Sequence, residues 1–213
     1  MPENKHPFYR LTPEFVMDAV ESQGVCCDRR LFALNSYENR VYQVGIEDGL
    51  PLVAKFYRPD RWSGEQIQEE HYFCHELSGH ELPVVAPLKT LEGRTLLEHD
   101  GFYFALYPRH GGHAPEFDNL DNLKILGRLL GRIHAVGAVT PFTHRPALDR
   151  QSFGTSSVRL IEEGFIPQEY RASYTALTAQ LLERIDTITA EAGQLRNIRT
   201  HGDCHAGNIL WRD

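Results

Sequence analysis

The sequence predicts an α+β fold of two lobes, a β-rich lobe followed by a helical one. Short β-prone runs separated by turns fill the first half of the chain, whereas amphipathic helical periodicity dominates the second half. Between the halves, segment 108–115 reads PRHGGHAP and is the strongest break in composition. We therefore expect the first lobe over residues 1–107, a linker over 108–118 and the helical lobe over 119–213.

The composition indicates a globular protein of the cytoplasm. The chain has 213 residues, of which 41% are hydrophobic, and this length can bury a sizeable core. Its formal net charge of −7 argues against nucleic acid and anionic membranes as partners. We see no secretory signal and no run near the roughly 20 apolar residues of a membrane helix. The four cysteines form no CxxC pair, so we expect reduced thiols.

The first elements are a short helix and two strands. Thr12 can cap a helix that starts at the following proline, and an apolar stripe then continues toward Gly24. The runs at 41–44 and 52–57 are β-prone and flank a turn-forming Glu-Asp-Gly. They predict two antiparallel strands.

A helix and three more strands complete the first lobe. The helix is predicted from the capping box SGEQ at residues 63–66 to Gly79. The strands are predicted at 82–87, 95–98 and 102–107, with glycine-containing turns between them. The first lobe is therefore expected to hold a five-stranded antiparallel sheet.

Two long helices are predicted in the second lobe. Residues 120–135 place leucines on one face, and Gly127 and Gly131 lie four apart, where small residues permit close packing. A further helix is predicted from about Gln168 to Ala192.

The most informative segment for chemistry is 201–211, which reads HGDCHAGNILW and has the form H-G-D-x-x-x-x-N. Phosphoryl transfer from ATP requires a carboxylate that orients the attacking hydroxyl and accepts its proton. An amide oxygen nearby can ligate the magnesium that neutralises the phosphates. Asp203 and Asn208 suit these two roles, whereas the plainer interpretation is a surface loop with a turn asparagine.

This segment resembles the catalytic loop of the aminoglycoside phosphotransferase and choline kinase relatives of protein kinases, in which His-Gly-Asp replaces His-Arg-Asp. Two further segments carry the resemblance, NSYENRVY at 35–42 and VAKFYRP at 53–59, so it extends along nearly the whole chain. It implies a protein-kinase-like two-lobed fold with Mg²⁺ and ATP between the lobes. It also implies a cytoplasmic, monomeric Ser/Thr protein kinase of the stress response, with a protein hydroxyl as acceptor.

Within this resemblance, Lys55 matches the strand lysine that holds the α- and β-phosphates. An acid from the following helix should pair with it, and both Glu69 and Glu70 are available, with Glu70 favoured by the helix face. A strand lysine is more commonly a solvated edge residue. The order of the segments makes Lys55 a site candidate.

Two further sets of nucleotide contacts are expected. The loop before Lys55 reads LNSYENRVY at 34–42 and lacks glycine, but Ser36 and Asn39 can offer a hydroxyl and backbone N–H groups to the triphosphate. The alternative is an ordinary polar turn. Leu106 and Tyr107 fall where kinases pass between lobes, so the resemblance implies that their backbone groups bind the adenine edge.

One departure from the family concerns the end of the sequence. The family carries an Asp-x-Asp motif, shortly after the asparagine-bearing strand, that supplies the main magnesium carboxylate. The sequence stops at Asp213, before such a motif. We therefore expect an incomplete C-terminal lobe in a truncated chain that is nearly inactive by itself, because a lost charged ligand costs several kcal/mol.

Several alternatives stay open. The acceptor could be a small molecule, such as a sugar, choline or an antibiotic, or the chain could be a pseudokinase-like binding module without catalysis. Residues 202–205, read as GDCH, are also similar to a metallophosphoesterase fragment, although the later motif of that class is missing. Finally, His71, Cys74 and His75 have a helical spacing that can hold zinc, but packed or solvated histidines are commoner.

Overall fold

The computed structural model describes residues 7–212. They divide into two compact units, one extending to Val139 and including the segment from Thr200, and a second over Thr140–Arg199. The predicted lobe limits at 107 and 119 are a different division and stay a prediction. The helices are α1 (Pro13–Glu21), α2 (Gly64–Gly79), α3 (Leu120–Gly137), α4 (Ser156–Gly164) and α5 (Gln168–Ala192). The strands are β1 (Cys27–Leu34), β2 (Arg40–Ile46), β3 (Leu52–Phe56), β4 (Leu97–His99) and β5 (Phe102–Pro108).

The sheet of the first unit has five antiparallel strands in the order β1-β2-β3-β5-β4. The set of strands differs from the prediction in two places. Residues 82–87 were predicted to be a strand and are not, whereas β1 is a strand that was not predicted. Pro83 and Pro87 have no backbone N–H to give to a ladder, which excludes the segment from the interior of a sheet. The sequence of β1, CDRRLFAL, does not alternate between apolar and polar residues. This strand lies at the edge of the sheet, and its pairing with β2 shifts register between Cys27 and Leu31.

A hydrophobic core lies between one face of this sheet and α1. Phe56 and Phe104 are fully buried and stacked, with ring centroids 5.3 Å apart. Val16 and Val20 of α1 are also fully buried, and burial of each such side chain contributes about 1.5–3 kcal/mol. Because successive side chains of a strand alternate between faces, the burial of Phe56 directs its neighbour Lys55 to the opposite face.

Helix α2 begins where the sequence predicts. The Ser63 hydroxyl accepts from the Gln66 N–H at 3.3 Å, and the Gln66 side chain accepts from the Ser63 N–H at 3.0 Å. This reciprocal capping satisfies two backbone donors that a helix start leaves without partners. The helix buries Ile67 and His71 on one face, so that its first two turns are fixed.

The remaining helices also bear on the prediction. Helix α3 continues to Gly137, two residues beyond the predicted end, and α5 has the predicted bounds Gln168–Ala192. In the second unit, a π-helical turn at Arg150–Thr155 and α4 were not predicted. Across residues 7–212, no helix combines the length and apolar character that crossing a membrane requires. All four cysteines are free thiols in the structure.

Candidate active site

Lys55 forms an ion pair with Glu70. Its Nζ lies 3.1 Å from Oε1 of Glu70, and the two side chains are 23% and 34% exposed. Lys55 extends from β3 toward α2, and Glu70 faces it from the helix one position before the buried His71. Of the two acids that the sequence offered, Glu70 is the one in this pair. The arrangement presents a partly buried ammonium group whose position is fixed from two elements.

A chain of polar groups, all buried except the half-buried Tyr107, adjoins this ion pair. The Tyr57 ring centroid lies 4.7 Å from Nζ of Lys55, and the Tyr57 hydroxyl lies 3.2 Å from that of Tyr107. The same Tyr57 hydroxyl is 2.7 Å from Nε2 of His71, whose Nδ1 is 2.9 Å from the Thr95 hydroxyl. We call Tyr57, Tyr107, His71 and Thr95 the polar chain. It links the residue that follows β3 and the segment that precedes β4 to β5 and α2.

Sequence reasoning missed most of the polar chain. Tyr107 was expected to bind adenine through its backbone, and His71 was weighed as a zinc ligand. One signal was available for Tyr57, because it lies two residues after Lys55 and side chains two apart along an extended chain share a face. The partners of His71 come from distant segments, so no spacing along the chain could have indicated them.

The protonation states suit a cationic phosphate site. Burial raises the pKa of Tyr57 well above its ordinary value, and the neighbouring Tyr107 and Glu70 raise it further. Burial also raises the pKa of Tyr107, although Lys55 acts in the opposite direction. For Lys55, burial favours a lower pKa, but Tyr107 and Glu70 outweigh it and the pKa is raised. At neutral pH, Lys55 is therefore a cation and both phenols are protonated.

The loop between β1 and β2, residues 35–39, lies beside Lys55 along the sheet. Strand pairing places Val41 opposite Lys55 and Arg40 opposite Phe56, so the residues before Arg40 adjoin the chain that leaves β3. The Ser36 hydroxyl donates to the Asn39 carbonyl at 3.0 Å, which closes the loop on itself. The structure thus brings both predicted phosphate contacts into one turn next to the lysine strand.

The predicted adenine contacts lie on β5. Leu106 is buried opposite Ala54, and its carbonyl already accepts from the Leu88 N–H at 2.7 Å. Tyr107 pairs with Val53 along the sheet, and its phenol belongs to the polar chain. Adenine binding by these two backbone positions stays a prediction.

The predicted catalytic loop is folded onto itself. Gly202 has a φ of 77°, a left-handed conformation that glycine adopts without strain. The Asn208 Nδ2 donates to the Asp203 backbone carbonyl at 2.8 Å and to its Oδ2 at 2.9 Å. His205 lies beside them, with Nε2 3.8 Å from the Asp203 carboxylate, and the Asp203 side chain is 76% exposed. The loop therefore presents the carboxylate to solvent and holds it through the amide.

A short bridge anchors this loop to the segment after β5. Trp211 and His113 exchange two backbone hydrogen bonds of 3.1 and 2.8 Å. Arg212 Nε donates to the Gly111 carbonyl at 2.7 Å. A Cβ at Gly112 would lie 3.0 Å from the Trp211 carbonyl, so the glycine permits the close approach. The glycines that were interpreted as a linker thus give room to the segment that follows Asn208.

The oxygen donors of the loop fit a hard cation such as Mg²⁺, which prefers carboxylate and amide oxygens together with phosphate oxygens. Asn208 donates through Nδ2, so its Oδ1 is the atom that can ligate a metal. Among residues 7–212, no group of three or more His, Cys, Asp and Glu side chains is placed to hold a metal ion. The zinc interpretation of His71, Cys74 and His75 is therefore wrong for the part of the chain described.

Comparison with known proteins places the chain in a family. The model of the phosphotransferase enzyme family matches residues 31–213. Serine/threonine protein kinase RdoA of Salmonella typhimurium is 44% identical over 214 residues, which cover 100% of this chain and 64% of the relative. Stress response kinase A of Escherichia coli K12 is 44% identical over 207 residues, covering 97% and 62%. The chain thus spans less than two thirds of the length of these relatives.

Solved structures with the same fold belong to kinases with low sequence identity. Amicoumacin kinase hAmiN, in complex with AMP-PNP, Ca²⁺ and Ami, matches with a TM-score of 0.65 at 21% identity, over 87% of this chain and 56% of that one. The microcompartment-associated aminopropanol kinase matches with 0.68 at 19%, over 91% and 63%. Spectinomycin phosphotransferase APH(9)-Ia matches with 0.61 at 16%, over 94% and 65%. These likenesses confirm the predicted protein-kinase-like α+β fold.

Proposed function

The chain belongs to the phosphotransferase enzyme family, and we propose that it carries the ATP-binding and base-bearing part of a cytoplasmic Ser/Thr protein kinase of the stress response. The protein would act as a monomer with Mg²⁺ and ATP. The observation that carries this proposal is the ion pair of Lys55 and Glu70 at 3.1 Å, since a strand lysine held by a helix glutamate is what phosphate binding in kinases requires.

On the nucleotide side, the Lys55 ammonium group binds phosphate oxygens, while Glu70 keeps the Lys55 side chain extended across the site. The loop with Ser36 and Asn39 covers the triphosphate through backbone N–H groups. A fixed cation and fixed N–H dipoles stabilise the charge that develops in transfer without reorganising at that moment.

The adenine ring is bound along β5. The backbone of Leu106 and Tyr107 lies on the strand that pairs with the lysine strand, so a base held there lies next to the phosphates that Lys55 binds. This part of the proposal rests on the family resemblance together with the register of the sheet.

On the acceptor side, Asp203 takes the proton of the attacking Ser or Thr hydroxyl. Asn208 holds the Asp203 carboxylate through Nδ2 and offers Oδ1 to the cation. Mg²⁺, when bound, neutralises the phosphates. A positioned carboxylate base contributes roughly 10²–10⁴-fold to transfer.

A protein acceptor is supported by the 44% identity to relatives named as Ser/Thr kinases. A small-molecule acceptor is the second candidate, because the solved structures with this fold are named for kinases of antibiotics and aminopropanol. Those structures are at most 21% identical, so they bear on fold and not on acceptor. Labelling of proteins in a cell extract, compared with labelling of small alcohols, separates the two candidates.

Transfer by the purified full-length protein tests the proposal. With γ-labelled ATP, Asp203→Asn should lower transfer by about a hundredfold or more, since the base is lost while the shape is kept. Glu183→Gln, which neutralises an exposed acid on α5, is the matched control and should leave transfer unchanged. Unchanged transfer in Asp203→Asn would exclude the mechanism, and ATP binding with no transfer in the wild type would favour the binding-module alternative.

A further inference from the structure

The loop of residues 35–39, between β1 and β2, is held by side chains. It contains no glycine, and its Tyr37 is fully exposed at the tip. A loop of this kind has fewer accessible backbone conformations than a glycine-rich one, but it still needs contacts that select one of them. The contacts on either side of Tyr37 are therefore informative.

Glu38 supplies the most specific of these contacts. Its Oε1 accepts from the indole Nε1 of Trp62 at 2.7 Å, and its Oε2 accepts from Nε of Arg61 at 3.1 Å. The Arg61 guanidinium in turn lies over the Trp62 ring, 4.6 Å from its centroid. Both oxygens of one carboxylate are thus bound by neighbouring residues of another segment. We call Glu38, Arg61 and Trp62 the loop clamp.

The segment that receives Glu38 joins the lysine strand to the glutamate helix. Residues 57–63 connect β3 to α2, and Trp62 immediately precedes the capping residue Ser63. A second contact strengthens the attachment, because the Asn39 Oδ1 accepts from the Arg58 N–H at 3.3 Å. The loop is therefore fastened to the connection between the strand of Lys55 and the helix of Glu70.

We propose that Glu38 is a positioning residue. Through its contacts with Arg61 and Trp62, it holds the 35–39 loop in a fixed position relative to Lys55. This inference rests on the proposed function, in which that loop covers the triphosphate. A loop that is already ordered binds phosphates without the entropic cost of ordering on binding, so the clamp acts mainly on affinity for ATP. It also balances charge, because Arg61 offsets a carboxylate that would otherwise repel the phosphates.

The two halves of the clamp contribute unequally. The Arg61 and Glu38 side chains are 51% and 34% exposed, and an ion pair this exposed is worth little. The contact with Trp62 is shorter, partly buried and charge-assisted, which makes it the stronger anchor. Loss of the indole N–H should therefore loosen the loop more than loss of the Arg61 charge.

Hydrogen exchange and steady-state kinetics of the full-length protein test the proposal. In Glu38→Ala, backbone amides of residues 35–40 should exchange faster without nucleotide, and KM for ATP should rise about three- to tenfold with kcat within about twofold. Trp62→Phe keeps an aromatic ring, though a smaller one, without the N–H, and should follow Glu38→Ala. Glu38→Gln keeps an acceptor for the indole and should lie between these variants and wild type. Glu47→Ala, in the β2–β3 turn, is the control and should change neither quantity.

Two results would overturn the inference. Unchanged exchange over residues 35–40 in Glu38→Ala would show that the carboxylate does not hold the loop. Faster exchange with an unchanged KM for ATP would show that the loop, though held by Glu38, does not serve the nucleotide. The exchange measurement needs no ATP, so it stays interpretable if the Asp203→Asn test fails and the proposed function is wrong.

Discussion

The lysine site and the proposed catalytic loop are built in opposite ways. Lys55 and Glu70 come from a strand and a helix, and the neighbouring polar chain is assembled from segments far apart in sequence. Asp203 and Asn208 are five residues apart, contact each other within one loop, and remain exposed. The first region is part of the hydrophobic framework, whereas the second is attached to it through a short backbone bridge. Stability and function should therefore be linked at Lys55 and separable at Asp203.

Substitutions of two histidines, one in each region, should give the largest difference in stability. His71→Ala removes a fully buried ring and leaves the Thr95 hydroxyl without this partner, so we expect a loss of about 3 kcal/mol in the free energy of unfolding. His205→Ala, in the exposed catalytic loop, should leave the denaturation midpoint nearly unchanged. Urea denaturation of both variants measures the difference. Equal midpoints would contradict the division between a framework site and an attached loop.

Asn208→Ala tests the loop from the functional side. The variant loses both hydrogen bonds that hold Asp203 and the amide oxygen offered to Mg²⁺, so we expect kcat to fall at least about tenfold. The thermal midpoint should change little, because the side chain lies at the surface. Kinetics and calorimetry on the same preparation provide the check. A large fall in the midpoint would mean that the loop also supports the fold.

Tyr57→Phe removes one hydroxyl from the polar chain. It leaves a buried His71 nitrogen without its 2.7 Å partner, and an unsatisfied buried polar atom costs about 1–3 kcal/mol. The ring that lies near the Lys55 ammonium is kept, so affinity for ATP should change less than stability. Chemical denaturation and nucleotide titration of this variant compare the two effects. A variant with wild-type stability would show that the hydroxyl does not matter to the framework.

Alkaline pH should weaken the lysine site. The pKa values of Lys55, Tyr57 and Tyr107 are all raised in the folded protein above ordinary values of 10.5, 10.0 and 10.0. A raised pKa gives a stabilising contribution that is complete below the ordinary value and is lost as pH rises through the folded value. Stability should therefore fall above about pH 10, less steeply in Tyr57→Phe. Denaturation midpoints measured between about pH 8 and about pH 11 check this expected fall in stability.

The sequence predicted the parts of the molecule that depend on local patterns. The capping box at Ser63 and the bounds of α5 follow from spacing along one helix, and the loop around Asp203 follows from a motif whose residues contact each other. These features need no knowledge of distant segments.

Features that depend on distant partners were missed. The edge strand β1 carries charged residues and a register shift, so it shows no clean alternation. The hydrogen bonds of His71 to Tyr57 and Thr95 join residues 14 and 24 positions away, which no period of a helix or strand indicates. The prolines at 83 and 87 argued against a strand at residues 82–87, but the prediction followed the apolar residues of that segment instead.

Nucleotide binding by paired variants tests the central claim most directly. Calorimetric titration of the full-length protein with Mg²⁺ and ATP should give similar affinities for wild type and Asp203→Asn, since in the proposed mechanism Asp203 serves the acceptor. Lys55→Met should bind ATP at least about tenfold more weakly, because the phosphates lose their fixed cation. This is the result that the account predicts. Wild-type affinity in Lys55→Met would contradict it, because the ion pair with Glu70 would then be a structural feature without a role in binding ATP.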